Sequence, residues 1–339
     1  MTDRASTGAS EAPPRTEWRS GSASPGQRSI ARRPSGSSVA AAAAAAVVSL
    51  WSASPTAQSG APRIVHTDPA AFRQSSAVHA GAGSMAFAAL LDRGTVTPEF
   101  NFLHRGVIPP GAGIGHHFHN VVEEMFVILD GEAQFTIDGR TATVKGPAGV
   151  VCRTGHSHAI YNAGPTPVQW MNLNVSVIAG VYDAFDLNDT RAAAALDPIP
   201  TFMTMRLDRA LLRPAGARGR GAATPAASAT TVVSRRALGP SVFSTTWAYI
   251  DHVVVPPGAS TPEQAHDAVG EAYYVLAGAG TVTITGTTPE TAAVRAGDAI
   301  PIRIGEASRF ANTGSEPLEL FVMGVARDMA AKTRLLSGN

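Results

Sequence analysis

The sequence predicts an all-β protein with two tandem barrels or sandwiches, preceded by a segment that lies outside them. Three observations lead there. Two stretches of the chain repeat one another. Within each repeat run short segments rich in Val, Ile and Thr, bounded by turn residues. The 339 residues include 33 Gly and 24 Pro, a supply suited to many tight turns. That length accommodates two domains of roughly 100–200 residues each.

Taken in order, residues 1–38 are rich in Ser, Gly, Pro and Arg and hold too little apolar matter for a core. Residues 39–51 are a Val- and Ala-dominated run, too short for a bilayer span of about 20 residues. Arg32-Arg33 precede this run and the small residues 52–57 follow it, which is the layout of an export signal. Paired arginines before a weakly apolar run resemble a Tat signal, although Pro34-Ser35 stand where an apolar residue is usual. Residues 1–62 are therefore expected to be an export signal and disordered leader, and the protein periplasmic or secreted, with no membrane span.

Charge and cysteine content narrow the function. Lys+Arg 27 against Asp+Glu 26 give a net charge of +1. Six Arg and three acidic residues lie within 1–57, so the chain beyond carries a formal −2. Such a balance argues against a nucleic-acid partner, which needs a clustered basic excess. The single cysteine, Cys152, excludes an internal disulfide framework and any Cys-rich metal site. It lies on an apolar stretch and reads as a small core residue. The partner left is a small-molecule substrate, with room for a homo-oligomer.

The repeat organises residues 63–339. Residues 107–131 and 254–278 align without a gap at an offset of 147, pairing Gly111 with Gly258, Glu124 with Glu271 and Gly131 with Gly278. Residues 153–162 align with 303–312 at an offset of 150, so the second copy carries three more residues, assigned to the turn-like Gly286–Glu290. Between the blocks, 125–129 is an apolar run and 134–138 alternates and ends in Asp138-Gly139, a hairpin signal. Residues 141–144 form the return strand, and 280–285 and 292–295 do the same in the second copy. The predicted units are 63–178 and 233–339. The connector 179–232 is expected to be helical at 191–196, with a short segment at 205–212 and a flexible Pro-, Gly-, Ala- and Ser-rich loop at 213–230.

Histidine is sparse, at 10 in the chain, yet five fall at 116, 117, 119, 156 and 158. Alternate side chains of a strand share a face, so His117 and His119 point together and His116 points away. Glu124 can return on the neighbouring strand and His158 on a third, which would bring three imidazoles and a carboxylate together from one barrel wall. Such donors suit one divalent transition metal: Mn, Fe, Co, Ni, Cu or Zn. Four ligands on a six-coordinate ion leave two positions open for substrate, as metal catalysis requires.

These residues resemble the bicupins. The first cupin motif, Gly, His-x-His, Glu, Gly, matches at Gly111, His117, His119, Glu124 and Gly131. The second matches at Gly155, His158 and Asn162, with Arg153 where Pro is usual and Pro147-Ala148 where Gly-Asp is usual. The resemblance implies two jelly-roll barrels and a metal held by His117, His119, Glu124 and His158. In the second copy the ligand positions are Gln264, His266, Glu271 and Ser308, a degenerate set expected to hold no metal, on a barrel whose Gly258, Gly278, Gly305 and Asn312 remain. His116 and His156 read as exposed or supporting residues, Glu123 as a surface carboxylate, and His104 as a strand residue that is a candidate for lining the pocket.

Cupins include dioxygenases, decarboxylases, isomerases, lyases and binding proteins, so the fold alone does not select the reaction. The leading expectation is a dioxygenase-type metal-dependent oxidoreductase, similar in architecture to secreted flavonol dioxygenases, with Glu124 as ligand and proton acceptor. The alternatives are a metal-dependent lyase, decarboxylase or isomerase on a small acid or sugar, and a non-catalytic binding protein. Oxalate-degrading bicupins usually keep ligands in both barrels, which this chain does not.

Overall fold

The computed structural model describes residues 63–215 and 230–337. The export signal and leader, and most of the loop expected at 213–230, lie outside the described residues. Each repeat closes as two antiparallel sheets that enclose an apolar core. In the first, a seven-stranded sheet runs Thr204–Arg206, Ala148–Cys152, Val122–Ile128, Val168–Ser176, Phe100–Ile108, Ser84–Leu91 and Arg73–Ser76. It faces a five-stranded sheet of Phe185–Asp189, Gly113–His119, His156–Tyr161, Glu132–Ile137 and Arg140–Lys145. Phe126, Ile128 and Trp170 from the first sheet meet Ile114, Phe135 and Ile160 from the second.

The second barrel repeats the plan. Val65–His66, Asp298–Ile302, Val269–Ala277, Leu318–Ala326, Trp247–Val255, Val233–Leu238 and Arg213–Pro214 form its larger sheet. Gln264–Ala265, Ala307–Ala311, Ala279–Thr285 and Glu290–Arg295 form the smaller one. The Asp138-Gly139 hairpin is present: Ile137 pairs with Arg140, and both turn residues take positive φ, 49° and 77°, as a two-residue primed turn requires. The matching hairpin of the second barrel places its longer turn between Thr285 and Glu290.

The two large sheets pack against each other, which explains their sequence. A sheet covered on both faces needs apolar residues at odd and even positions alike. Along Val122–Ile128 all seven residues are buried. Phe126 and Ile128 face the barrel interior, while Met125 and Val127 enter the cluster between the barrels with Leu103, Leu173, Trp247, Tyr274, Phe321 and Met323.

Glu123 departs from its expected surface position, because it is 0% exposed and sits in this seam. Its Oε1 accepts from Ser244 N at 2.7 Å and Ser244 Oγ at 2.8 Å, and its Oε2 from Thr245 N at 2.8 Å and Thr245 Oγ1 at 2.6 Å. Four donors from the second barrel thus replace the water a carboxylate loses on burial. Lys332, on the C-terminal helix Met329–Ser337, donates to the carbonyls of Phe243 and Thr245 and closes the same turn from behind.

Two further features differ from the sequence expectation. No helix forms at 191–196; Arg191 and Ala193 take positive φ (54° and 55°), and Leu196 bridges to Thr141. The four alanines at 192–195 give a weak helical signal that the contacts with the barrel override. The connector instead supplies edge strands Phe185–Asp189 and Thr204–Arg206 to the first barrel, and its helical content among the described residues is the 3-10 turn Arg209–Leu211. The strand Val65–His66 crosses to the second barrel and pairs with Asp298 and Ala299.

Removing the Glu123 carboxylate would leave the buried Thr245 donors, and the half-buried backbone N–H of Ser244, without their acceptor. Glu123→Ala is expected to lower stability by about 3 kcal/mol, measured by urea unfolding, because an uncompensated buried polar cluster is left behind. A loss below about 0.5 kcal/mol, the range of an ordinary surface substitution, would show that the seam does not depend on it.

Candidate metal centre

Three of the four expected ligands come from the five-stranded sheet. His117 and His119 lie two apart on Gly113–His119, and His158 on the adjoining strand pairs opposite His117. Glu124 corrects the one-wall expectation. After the turn at Asn120-Val121 the chain enters the facing sheet, so the carboxylate reaches across the barrel. The Asp183 carboxylate fixes that turn by accepting from Asn120 N at 2.9 Å and Val121 N at 3.2 Å.

The four side chains are buried, with one ligand atom from each within 4.8 Å of the others. His158 Nε2 is 3.0 Å from His117 Nε2 and 3.1 Å from His119 Nε2, and Glu124 Oε2 is 3.4 Å from His119 Nε2. The outward nitrogens are occupied: His117 Nδ1 donates to the Gly115 carbonyl at 2.8 Å, and His119 Nδ1 to the Asp183 carbonyl at 2.6 Å. Their Nε2 lone pairs therefore point inward. Burial pushes the His117 pKa down to about 2, and the neighbouring His79 and His119 push it the same way. Burial also holds His158 well below the ordinary imidazole range.

Neutral imidazoles that aim lone pairs at one another and at a carboxylate cannot all be satisfied by a single shared proton. A divalent ion satisfies them together, so the donor set fits one. Separations of 3.0–3.1 Å match two nitrogens at right angles about an ion roughly 2.1 Å from each. Glu124 is held in place: Asn172 Nδ2 donates to Oε1 at 2.6 Å and Asn174 Nδ2 to Oε2 at 2.9 Å. The His158 ring stacks on Phe126 with centroids 4.2 Å apart.

Beside this cluster lies a cavity of about 170 Å³, lined by Glu124, Asn172, His79, His104 and Tyr182 together with apolar side chains such as Phe87, Ile114 and Trp170. No Lys or Arg lines it. Trp170 Nε1 and Asn172 Oδ1 are buried without a hydrogen-bond partner. His104 does line the cavity; its ring stacks on Phe102 at 4.0 Å, and burial lowers its pKa to about 4. Burial raises the Tyr182 hydroxyl well above its usual range.

Several contributors were not foreseen from the sequence. The His79 ring stacks on His117 with centroids 4.0 Å apart, and its Nδ1 lies 2.6 Å from Asp186 Oδ1. Ala77, His79 and Ala80 all take positive φ, a strained turn that non-glycine residues rarely adopt. It packs so close to the ligand strand that a Cβ on Gly115 would lie 2.0 Å from the His79 carbonyl oxygen. Asn172 and Asn174 did carry a signal, since polar residues two apart in an otherwise apolar strand share a face. His116 is buried and outside the cluster, with Nε2 2.8 Å from Ser157 Oγ. His156 pairs with Asp138, and Cys152 is a buried free thiol.

The cupin domain pattern matches this chain twice, at residues 104–176 and 251–324. An oxalate-binding protein from Thermotoga maritima is 34% identical over 98 residues, which are 79% of that protein and 28% of this chain. The chain belongs to the cupin family. Among solved structures it resembles Bacillus subtilis oxalate decarboxylase, a protein with Mn(II) centres, at a TM-score of 0.54 and 16% identity over 78% of this chain and 77% of that one. It resembles a formate complex of Lactobacillus farciminis oxalate decarboxylase at 0.54 and 14% identity, over 78% and 86%. At these identities the two structures establish the shared two-barrel fold.

The second cupin places Gln264, His266, Glu271 and Ser308 at the ligand positions, but these groups satisfy one another. His266 Nε2 is 3.0 Å from Ser308 Oγ, and Gln264 donates to Glu271 at 3.2 Å. Tyr249 and Tyr273 hydroxyls also donate to Glu271. Among the described residues, the His117–His119–Glu124–His158 group is the metal-ligand cluster found.

One divalent ion per chain is therefore expected by metal analysis, and loss of that ion in His158→Ala. Two ions per chain that survive this substitution would contradict the assignment. The His104 imidazole gives a pH dependence. A histidine whose folded pKa lies below its unfolded value takes up a proton on unfolding, so stability falls as pH drops from 6.5 towards 4. The loss should be on the order of 3 kcal/mol at the acidic end. Comparing unfolding of the chain and of His104→Phe at pH 7 and pH 4 isolates that share, and equal slopes would exclude it.

Proposed function

We propose that this cupin is a metal-dependent enzyme that decarboxylates a small carboxylic acid of about the size of oxalate. The observation that carries the reading is the small cavity set against the Glu124 end of the metal cluster. At about 170 Å³ it lies below the roughly 300–1,000 Å³ of pockets for larger ligands. It suits a substrate of a few heavy atoms better than the multi-ring aromatic of a flavonol-type dioxygenase. The relation to an oxalate-binding protein supports the same substrate class, and the fold shared with oxalate decarboxylases supports the reaction.

A divalent ion held by His117, His119, Glu124 and His158 would supply positive charge and Lewis acidity for a carboxylate. The remaining steps fall to the chain's own groups. Because no Lys or Arg lines the cavity, the imidazoles of His79 and His104 are the groups left to orient the acid by hydrogen bonding. The apolar walls, with Phe87, Ile114 and Trp170, exclude water and strengthen those contacts. Breaking the carbon–carbon bond releases CO2 and leaves an electron pair on the remaining carbon, which must gain a proton. His79, with its ring nitrogen 3.5 Å from the Tyr182 hydroxyl, stands on the cavity wall where that proton is needed. Glu124 takes the acid proton of the incoming substrate and hands it on when the new C–H bond forms, and its two asparagine donors favour the anion to which it returns.

A non-catalytic role as a carboxylate-binding cupin is the second reading, favoured by the relation to the Thermotoga maritima oxalate-binding protein. Incubating the Mn(II)-loaded chain with oxalate separates the cases. Equal yields of CO2 and formate without oxygen uptake are expected, with turnover abolished in His119→Ala and reduced about 100-fold in His79→Gln. Oxygen consumption would restore the oxidative reading. Calorimetric binding without product would establish the binding protein.

A further inference from the structure

The second cupin carries Gln264 and Ser308 where the first has histidines, and its polar groups have a specific order. Ser308 Oγ lies 3.0 Å from His266 Nε2. The other ring nitrogen, His266 Nδ1, lies 3.4 Å from Glu271 Oε2. Hydroxyl, imidazole and carboxylate therefore follow one another as nucleophile, base and orienting acid. All three side chains are buried, at 2% exposure each. We propose that Ser308, His266 and Glu271 form a hydrolytic relay in the second cupin, which cleaves short-chain acyl esters of uncharged alcohols without a metal.

The surroundings support each role. Glu271 accepts from the hydroxyls of Tyr249 and Tyr273 and from Gln264 Nε2, which hold the carboxylate in one orientation towards the ring. Glu271 Oε2 lies 3.4 Å from His266 Nδ1, and a proton on that nitrogen leaves the Nε2 lone pair to the Ser308 hydroxyl. Ser308 and Glu271 line a cavity of about 150 Å³ whose other walls include Val253, Phe310 and Leu320. That volume admits a short acyl group. Gln264 pairs opposite Ser308 on the neighbouring strand and lines the same cavity. One of its two amide N–H groups bonds Glu271, which leaves the other to donate to an oxyanion formed beside Ser308. Glu271 puts a carboxylate on the cavity wall, the Asp251 carboxylate beside it is paired with Arg236, and no Lys or Arg lines the cavity, which disfavours an acidic substrate. The two barrels thereby separate an acid-binding cavity from an ester-binding one.

These groups do more than fill space with hydrogen bonds among themselves. An inert replacement core would be apolar, as Phe310, Val282 and Ile284 are on the same sheet. Instead a hydroxyl remains on the cavity wall, backed by a base and an acid. The chemistry balances without another reactant than water. Ser308 Oγ bonds to the ester carbonyl carbon as its proton passes to His266. The proton then moves to the leaving alcohol as the ester C–O bond breaks. Water, deprotonated by His266, releases the carboxylic acid and restores Ser308.

The test treats the full chain with diisopropyl fluorophosphate and locates the adduct by peptide mass spectrometry, alongside assays of p-nitrophenyl acetate hydrolysis. A covalent adduct on Ser308 is expected. Hydrolysis should persist after chelation of divalent ions, fall about 100-fold in His266→Gln and drop to background in Ser308→Ala. Absence of a Ser308 adduct on the folded wild-type chain would overturn the proposal, with no variant required. So would an unchanged rate in Ser308→Ala, or a second bound metal ion that is lost in His266→Gln.

Discussion

The two-residue period of one strand governs this molecule. Along Val122–Ile128, neighbouring carboxylates must point to opposite faces of the sheet. Glu123 is thereby committed to the seam between the barrels and Glu124 to the interior where the histidines converge. A slip of one residue would exchange them, leaving a charge without its Ser244 and Thr245 donors and a metal cluster without its carboxylate. Because Met125 and Val127 share the face of Glu123, and Phe126 and Ile128 that of Glu124, apolar packing on both sides enforces the register that the site requires.

Much of this was legible in the sequence. The His-x-His spacing, the separation to Glu124 and the match of two blocks at a fixed offset are properties of neighbouring residues and of repetition, and a linear text preserves both. The metal quartet and the two barrels followed from them. What was missed depends on groups distant in sequence. His79 lies 38 positions before His117, in a turn whose positive φ values no side chain there advertises. Asp183 acts through its backbone carbonyl on His119, and any residue type offers a carbonyl. Glu123 read as a surface group because a charge is normally solvated; its four partners lie more than 120 residues away. The connector misled for a related reason, since alanine favours a helix locally while pairing with Gly113–His119 draws the preceding segment into a strand.

The two barrels show how one scaffold tolerates two interiors. Both keep the turn glycines and the buried asparagines, with Asn162 donating to the carbonyls of Ile108 and Thr166 and Asn312 to those of Val255 and Glu316. Those bonds tie the barrel ends and do not involve the interior donors. In the first interior, inward lone pairs are left for an ion to join. In the second, each acceptor has found a hydroxyl or an amide. Closure of the barrel therefore rests on its sheets and end ties, and the polar interior is free to differ.

The strand Val65–His66 has a consequence for how the chain is made. Its partner, beginning at Asp298, lies 232 residues further on, and His66 closes the pairing with a 2.7 Å contact to the Asp298 carboxylate. On a ribosome the first barrel can fold well before that partner has been synthesised, so the leading strand must wait while the second barrel emerges. Contacts of such long sequence separation form late and slow the final step of folding. The last edge of the second sheet is thus sealed by some of the earliest described residues, and a chain truncated before residue 298 would leave them without a place to dock.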